Sequence, residues 1–159
     1  MKTIEERFWE KVDKNGPVSQ QVGTPCWIWT GPVFKGGYGR FCVRKIAGKR
    51  ATTGAHRFSW QLENGPLHCK DQIDHLCFRA GCVNPGHLRP VTHKQNMEHR
   101  RGAHSNSLTG IRGVTLLPGN RWQARIRHNG RFISLGCFGS AEEAEQAYLA
   151  GQKKYFTHS

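Results

Sequence analysis

The 159-residue chain has no uncharged apolar run approaching the ~18 residues that a membrane-spanning helix needs, and its mean hydropathy is −0.64. Its first residues, Met1-Lys2-Thr3-Ile4-Glu5-Glu6-Arg7, lack the apolar stretch of a secretory signal. The expectation is an intracellular, cytoplasmic protein with no membrane partner. Acid is scarce as well: 11 Asp and Glu stand against 24 Lys and Arg, a net charge of +13. Residues 1–104 carry 17 Lys/Arg and 8 Asp/Glu, a net of +9, and residues 105–159 carry 7 and 3, a net of +4. Between Glu98 and Glu142 there is no acid at all, while Arg100, Arg101, Arg112, Arg121, Arg125, Arg127 and Arg131 all fall there. Such an excess of one sign points to a polyanion, with nucleic acid the default. No internal repeat is present. Disorder is excluded by what the chain does have, five Trp and eight Phe, and its length suits one medium domain or two small ones.

Residues 3–14 read as an amphipathic helix with Ile4, Phe8 and Val12 on one stripe and a Thr3/Glu6 capping box, ended by Gly16-Pro17. Trp27–Trp29 and Tyr38–Val43 read as strands separated by Gly36-Gly37, and Ala55–Glu63 as a helix stopped by Asn64-Gly65-Pro66. Short apolar segments follow at Ile73–Leu76 and Leu88–Val91, and Thr92 can cap a helix running to about Arg101. Residues 102–109 are small and polar. Beyond them Gly113–Leu116, Trp122–Arg127 and Phe132–Leu135 alternate like three strands, with Asn129-Gly130 a strong hairpin signal. A helix opening at Ser140 would lay Ala144, Ala147, Tyr148 and Gly151 on that sheet. The chain thus divides into residues 1–101, a linker at 102–107, and a module at 108–159.

Six cysteines in a chain without a secretion signal favour metal or buried thiols over disulfides. Cys77, Cys82 and His87 form a tight array in a loop rich in Gly and Arg, a poor place to bury thiols for packing alone. Tetrahedral zinc needs a fourth ligand, for which Cys26, Cys42 and Cys69 are the candidates; the alternative is core cysteines beside an unrelated histidine. Just before the array stands Asp74-His75, and nine residues after His87 stands Asn96. A carboxylate, an imidazole and an amide can serve one hard divalent cation and one general base.

The segment Ile73-Asp-His-Leu-Cys-Phe-Arg-Ala-Gly-Cys-Val-Asn-Pro-Gly-His-Leu-Arg-Pro-Val-Thr-His-Lys-Gln-Asn96 resembles the ββα-metal site of HNH endonucleases, in the zinc-pinned branch related to His-Cys box homing endonucleases. The resemblance spans roughly residues 25–101. It implies His75 as general base, Asn96 and Asp74 as ligands of a catalytic Mg²⁺ or Mn²⁺, and Cys77, Cys82 and His87 as structural zinc ligands. Cys26, ahead of Tyr38-Gly39, matches the family's remaining zinc ligand better than Cys42 or Cys69. Ala55-His56-Arg57 resembles a His-Arg pair near the same site, implying that Arg57 neutralises the scissile phosphate; a helix-surface charge is the alternative. His87 stands where many HNH proteins carry the Asn that orients the base, so another group, such as a backbone carbonyl, must do so here.

Thr109–Val114, Arg121–Ile126, Leu135–Phe138 and Ala141–Tyr148 resemble an AP2 domain, which lays a three-stranded sheet in the DNA major groove. The resemblance implies DNA contacts from Arg112, Thr115, Arg125, Arg127 and Arg131. The fold expected is α+β: a zinc-stabilised ββα-metal domain followed by a three-stranded antiparallel sheet on one helix. The function expected is a metal-dependent endonuclease on double-stranded DNA, of homing or phage type and borne by a phage or mobile element. A catalytically silent, zinc-stabilised DNA-binding regulator is the alternative. Monomer and homodimer are both compatible with the sequence.

Overall fold

The computed structural model describes residues 2–46, 49–68, 70–100, 102–103 and 106–157, and its contacts divide the chain into two compact units, Met1–His93 and Lys94–Ser159. Cys69, together with residues 101, 104 and 105 around the expected linker, lies outside the described residues.

In the first unit, Thr3 caps α1 (Ile4–Trp9) through the expected box: the Glu6 amide donates to Thr3 Oγ1 at 3.1 Å and the Thr3 amide to Glu6 Oε2 at 2.8 Å. The helix ends at Trp9 instead of running to Lys14. Val12–Asp13 (β1) instead pairs antiparallel with Ile28–Trp29 (β2), because strand pairing there lets Val12 pack on the same aromatic core as Phe8. That core is built from rings: Phe8, fully buried, has Trp29, Phe41 and Phe58 at 5.2, 5.1 and 5.0 Å between centroids. Arg40–Ile46 (β3) pairs with Lys49–Gly54 (β4). The sequence reading had no β4, since Lys-Arg-Ala-Thr-Thr-Gly shows no apolar alternation and its strand character comes from pairing with β3. Ala55–Asn64 (α2) follows directly and stops at Gly65, whose positive φ of 85° ends the helix.

Gln72–His75 (β5) and Leu88–Val91 (β6) form an antiparallel pair in the register Asp74↔Arg89 and His75↔Leu88. The intervening loop, which includes a 3₁₀ turn at Pro85–His87, carries the cysteine array, and His93–His99 (α3) comes next.

The second unit contains the sheet β7 (Val114–Leu117), β8 (Arg121–His128) and β9 (Arg131–Phe138), antiparallel in chain order, and α4 (Ala141–Tyr155). Val114, Ala124 and Ile126 are buried against Ala144 and Tyr148. Gly151 is also buried, leaving room for Leu135. From Lys94 on, α3 clusters with this unit. Arg112 donates to the carbonyls of Glu98 (3.0 Å) and Met97 (2.8 Å) and also reaches that of Arg100, filling acceptors that a helix end leaves open. The buried Glu98 carboxylate accepts the Thr157 amide (2.9 Å) and hydroxyl (2.6 Å).

Gly113 is the tightest point of this unit. Its φ is +72°, and a Cβ there would stand 2.1 Å from Tyr148 Cε2 and 2.8 Å from the Arg125 carbonyl. Gly113→Ala combines a backbone penalty with overpacking, and we expect it to cost about 2–4 kcal/mol. Chemical denaturation should show the fall, and an unchanged midpoint would contradict this packing.

Candidate metal centre and nuclease site

Cys26, Cys77, Cys82 and His87 are all buried, and their ligand atoms lie within 4.8 Å of one another. His87 Nδ1 is 3.5 Å from Cys26 Sγ and 3.6 Å from Cys82 Sγ. A tetrahedral zinc ion with bonds of about 2.3 Å to sulfur and 2.0–2.1 Å to nitrogen requires an S···N edge of about 3.5 Å, so the donors fit that ion. The remaining ring nitrogen, Nε2, is 2.7 Å from Thr24 Oγ1, which fixes the ring with Nδ1 turned to the sulfurs. Thr24 was not foreseen, as nothing in its sequence context marks it. Cys42 is not part of this cluster: its thiol lies 3.5 Å from the Arg44 carbonyl. Cys137 is exposed on β9.

The three thiols differ in acidity. A hydrogen bond from Cys82 holds the Cys77 thiol at about 4, far below the usual thiol range, while that same bond pushes Cys82 up and burial pushes Cys26 up. The protein alone thus favours a single thiolate; a cation is what would let the other sulfurs ionise.

The same loop holds His75. Its ring is buried, and Nε2 lies 3.0 Å from the Cys82 carbonyl. A carbonyl can only accept, so Nε2 carries the hydrogen and Nδ1 of the neutral ring keeps its lone pair. Burial lowers the His75 pKa and favours that neutral form. The group that fixes the His75 ring is thus the backbone carbonyl of Cys82, one of the four clustered residues. Two further rings flank His75: His56 at 5.0 Å and Tyr38 at 5.8 Å between centroids. His56 is held neutral, its pKa driven down to about 3 by burial first and then by the charges of His75 and Arg57. A Cβ on Gly54 would meet the His56 ring at 2.9 Å, so this glycine makes room for it. Tyr38 served the sequence reading only as a landmark, and its ring contacts had no sequence signal.

Arg57 Nη1 donates to the Asp71 carbonyl at 2.9 Å. Asp74 Oδ2 accepts from Arg89 Nε at 3.1 Å and Nη2 at 3.0 Å, as their cross-strand pairing requires. The Asp74 carboxylate also acts on His75, raising its pKa against the larger effect of burial. Asn96 sits midway along α3, half-buried, within the second unit.

On the sheet, Arg125 and Arg127 alternate with buried Ala124 and Ile126 and are exposed on the face away from α4. Between them projects Phe132, 64 % exposed and paired with Arg127, with the two guanidinium carbons 4.9 and 5.8 Å from its ring centre. Thr115 is half-buried on β7, beside Gln123. Arg131 pairs with His128 and so belongs by pleat to the other face. Arg112 is half-buried, with its guanidinium spent on the α3 carbonyls.

No helix among the described residues is long and apolar enough to cross a membrane. No solved structure matches the chain. Over 62 residues, 38 % of this chain, it is 29 % identical to the uncharacterized gene 5.3 protein of Enterobacteria phage T3, and the match spans 61 % of that protein. Residues 53–98, from the end of β4 through α2, the β5–β6 pair and most of α3, match the family model for HNH endonuclease.

Proposed function

We propose that the protein is a metal-dependent DNA endonuclease whose HNH-type domain hydrolyses a phosphodiester with His75 as general base. The observation that carries this reading is the hydrogen bond from His75 Nε2 to the Cys82 carbonyl, 3.0 Å long, which leaves Nδ1 as a proton acceptor on a neutral, immobilised ring. A phosphodiester attacked in line by water needs a base for the water, charge stabilisation at phosphorus and stabilisation of the departing 3′-oxygen. His75 Nδ1 takes the proton of the attacking water, and the ring is held in place by the loop that Cys77, Cys82, His87 and Cys26 would close around zinc. A zinc ion held there would supply only rigidity, in a unit whose apolar core is small. Arg57, anchored on the Asp71 carbonyl, adds positive charge beside His56.

Asp74 and Asn96 are the oxygen donors we assign to Mg²⁺ or Mn²⁺, which would supply Lewis-acid stabilisation of the phosphoryl oxygens. The assignment of Asn96 rests on its place in the HNH motif, and Asp74 would share its carboxylate with Arg89. The sheet of the second unit, read as AP2-like, supplies duplex affinity through Thr115, Arg125 and Arg127, with Phe132 between the arginines as an apolar contact for base edges. Arg131 is left out because it belongs to the other face. Arg112 is left out of that surface because its donors are occupied.

The test is incubation of supercoiled plasmid with the full chain in Mg²⁺, Mn²⁺ or EDTA. Nicked or linear product that depends on the metal is expected. Retarded plasmid with no cleavage under any of the three conditions would overturn the nuclease and leave a DNA-binding regulator.

A further inference from the structure

The first unit has a charge feature that neither the metal cluster nor His75 uses. From Lys14 to Leu62 there is no Asp or Glu, while Lys14, Lys35, Arg40, Arg44, Lys45, Lys49, Arg50 and Arg57 all fall in that span. The fold gathers part of this charge around one open groove of about 760 Å³, between the α1 end and β3. Arg7 and Lys11 line it from one side, Arg40 and Arg44 from the other, and all four are exposed. The acid in the groove, Glu10, is ion-paired with Lys2. Arg7 also donates to the Cys42 carbonyl at 2.7 Å, which ties α1 to β3 and holds the two basic walls at a set separation.

The chemistry of this groove selects its ligand. Four exposed cations, on the two walls of one open groove, suit an extended polyanion better than a single small anion. Trp29 and Phe41 line the groove but are only 5 % and 3 % exposed, so no aromatic face is offered there for an unstacked base. What is left to bind is phosphate, by charge. We infer that this groove is a second DNA-backbone site, separate from the sheet of the other unit, which binds the phosphates of duplex DNA without regard to sequence. The inference rests on the reading of the protein as a DNA-acting enzyme.

The test compares the full-length protein with the double variant Lys11→Ala/Arg44→Ala, avoiding Arg7 because of its structural hydrogen bond. Affinity for two unrelated labelled duplexes is measured across a salt series in EDTA, where no cleavage intervenes, with thermal melting as the control for folding. Each phosphate contact contributes about 0.9 to the slope of log K against log salt, so the double variant should lose nearly two units of slope. Its affinity should fall by about tenfold or more at 0.15 M salt, equally on both duplexes. Arg44→Lys should keep the slope, because a phosphate contact needs a charge and not a guanidinium fork.

An unchanged slope in a folded double variant would overturn the groove, as would a loss confined to one of the duplexes. These results are independent of the plasmid assay. A protein that never nicks but loses slope in the variant keeps the groove and loses the nuclease; one that nicks with an unaltered slope does the reverse.

Discussion

His75→Ala is expected to abolish metal-dependent nicking while leaving duplex affinity within about twofold of the parent. A positioned general base is typically worth about 10²–10⁴-fold in rate, which takes a modest nuclease below detection. Binding should survive because the phosphate-facing charge resides in arginines and lysines elsewhere, and His75, buried and neutral, contributes none of it. The substitution removes one hydrogen bond, to the Cys82 carbonyl, so a small loss of stability is expected with it. Gel-shift titration and plasmid nicking on the same preparation make the comparison. If cleavage and binding fall together in a variant that melts normally, His75 is a structural residue and the base lies elsewhere. Its neighbour His56, already neutral, would be the next candidate.

Removal of zinc is expected to have the larger structural effect. The purified protein should contain one equivalent of zinc by atomic emission, and a strong chelator should release it with loss of the first unit's cooperative melting. Apparent zinc affinities of structural sites are about 10–16 kcal/mol, comparable with or greater than the ~5–15 kcal/mol by which whole domains are stable. The four side chains join the loop from Leu76 to His87 to Cys26 at one point, a cross-link that would add to the bonds from the Val83 amide to the Trp27 carbonyl (2.7 Å) and from the Trp29 amide to the Gly81 carbonyl (2.9 Å). The sheet of the second unit, with its own core of Val114, Ala124, Ile126, Ala144 and Tyr148, should still melt as before. Cys82→Ser should reproduce the chelator effect. Absence of bound zinc, with a melting curve indifferent to chelator, would return these residues to ordinary core thiols.

How far the sequence could be read depended on whether a feature was local. The Thr3/Glu6 box, the α2 stop at Gly65, the hairpin at Asn129-Gly130 and the α4 face are decided within a few residues, and each was legible. The length of α1 was not, because Val12 is drawn into pairing with Ile28 and Trp29, whose place follows only from the tertiary fold. β4 was missed for the same reason, as its polar residues become a strand through β3. In the site, spacing alone brought out Cys77, Cys82 and His87 but left Cys26, Cys42 and Cys69 open; family resemblance favoured Cys26, and the structure sets Cys26 within the cluster. Arg112 shows the limit of pattern reading. Its place in the AP2-like motif implied a DNA contact, whereas long-range hydrogen bonds set its guanidinium on the carbonyls at the end of α3.

That cap also bears on how this protein could be recombined. Because Arg112 and Thr157 hold the stretch from Met97 to Arg100, the sheet module inherits the helix ahead of it and does not begin at the small polar stretch that looks like its border. A chimera spliced at residue 102 would strip that helix of its partners and leave Glu98 stranded. The HNH match itself runs through that helix to residue 98, so α3 serves both halves, and a chimera cut at either of its ends would lose one of the two.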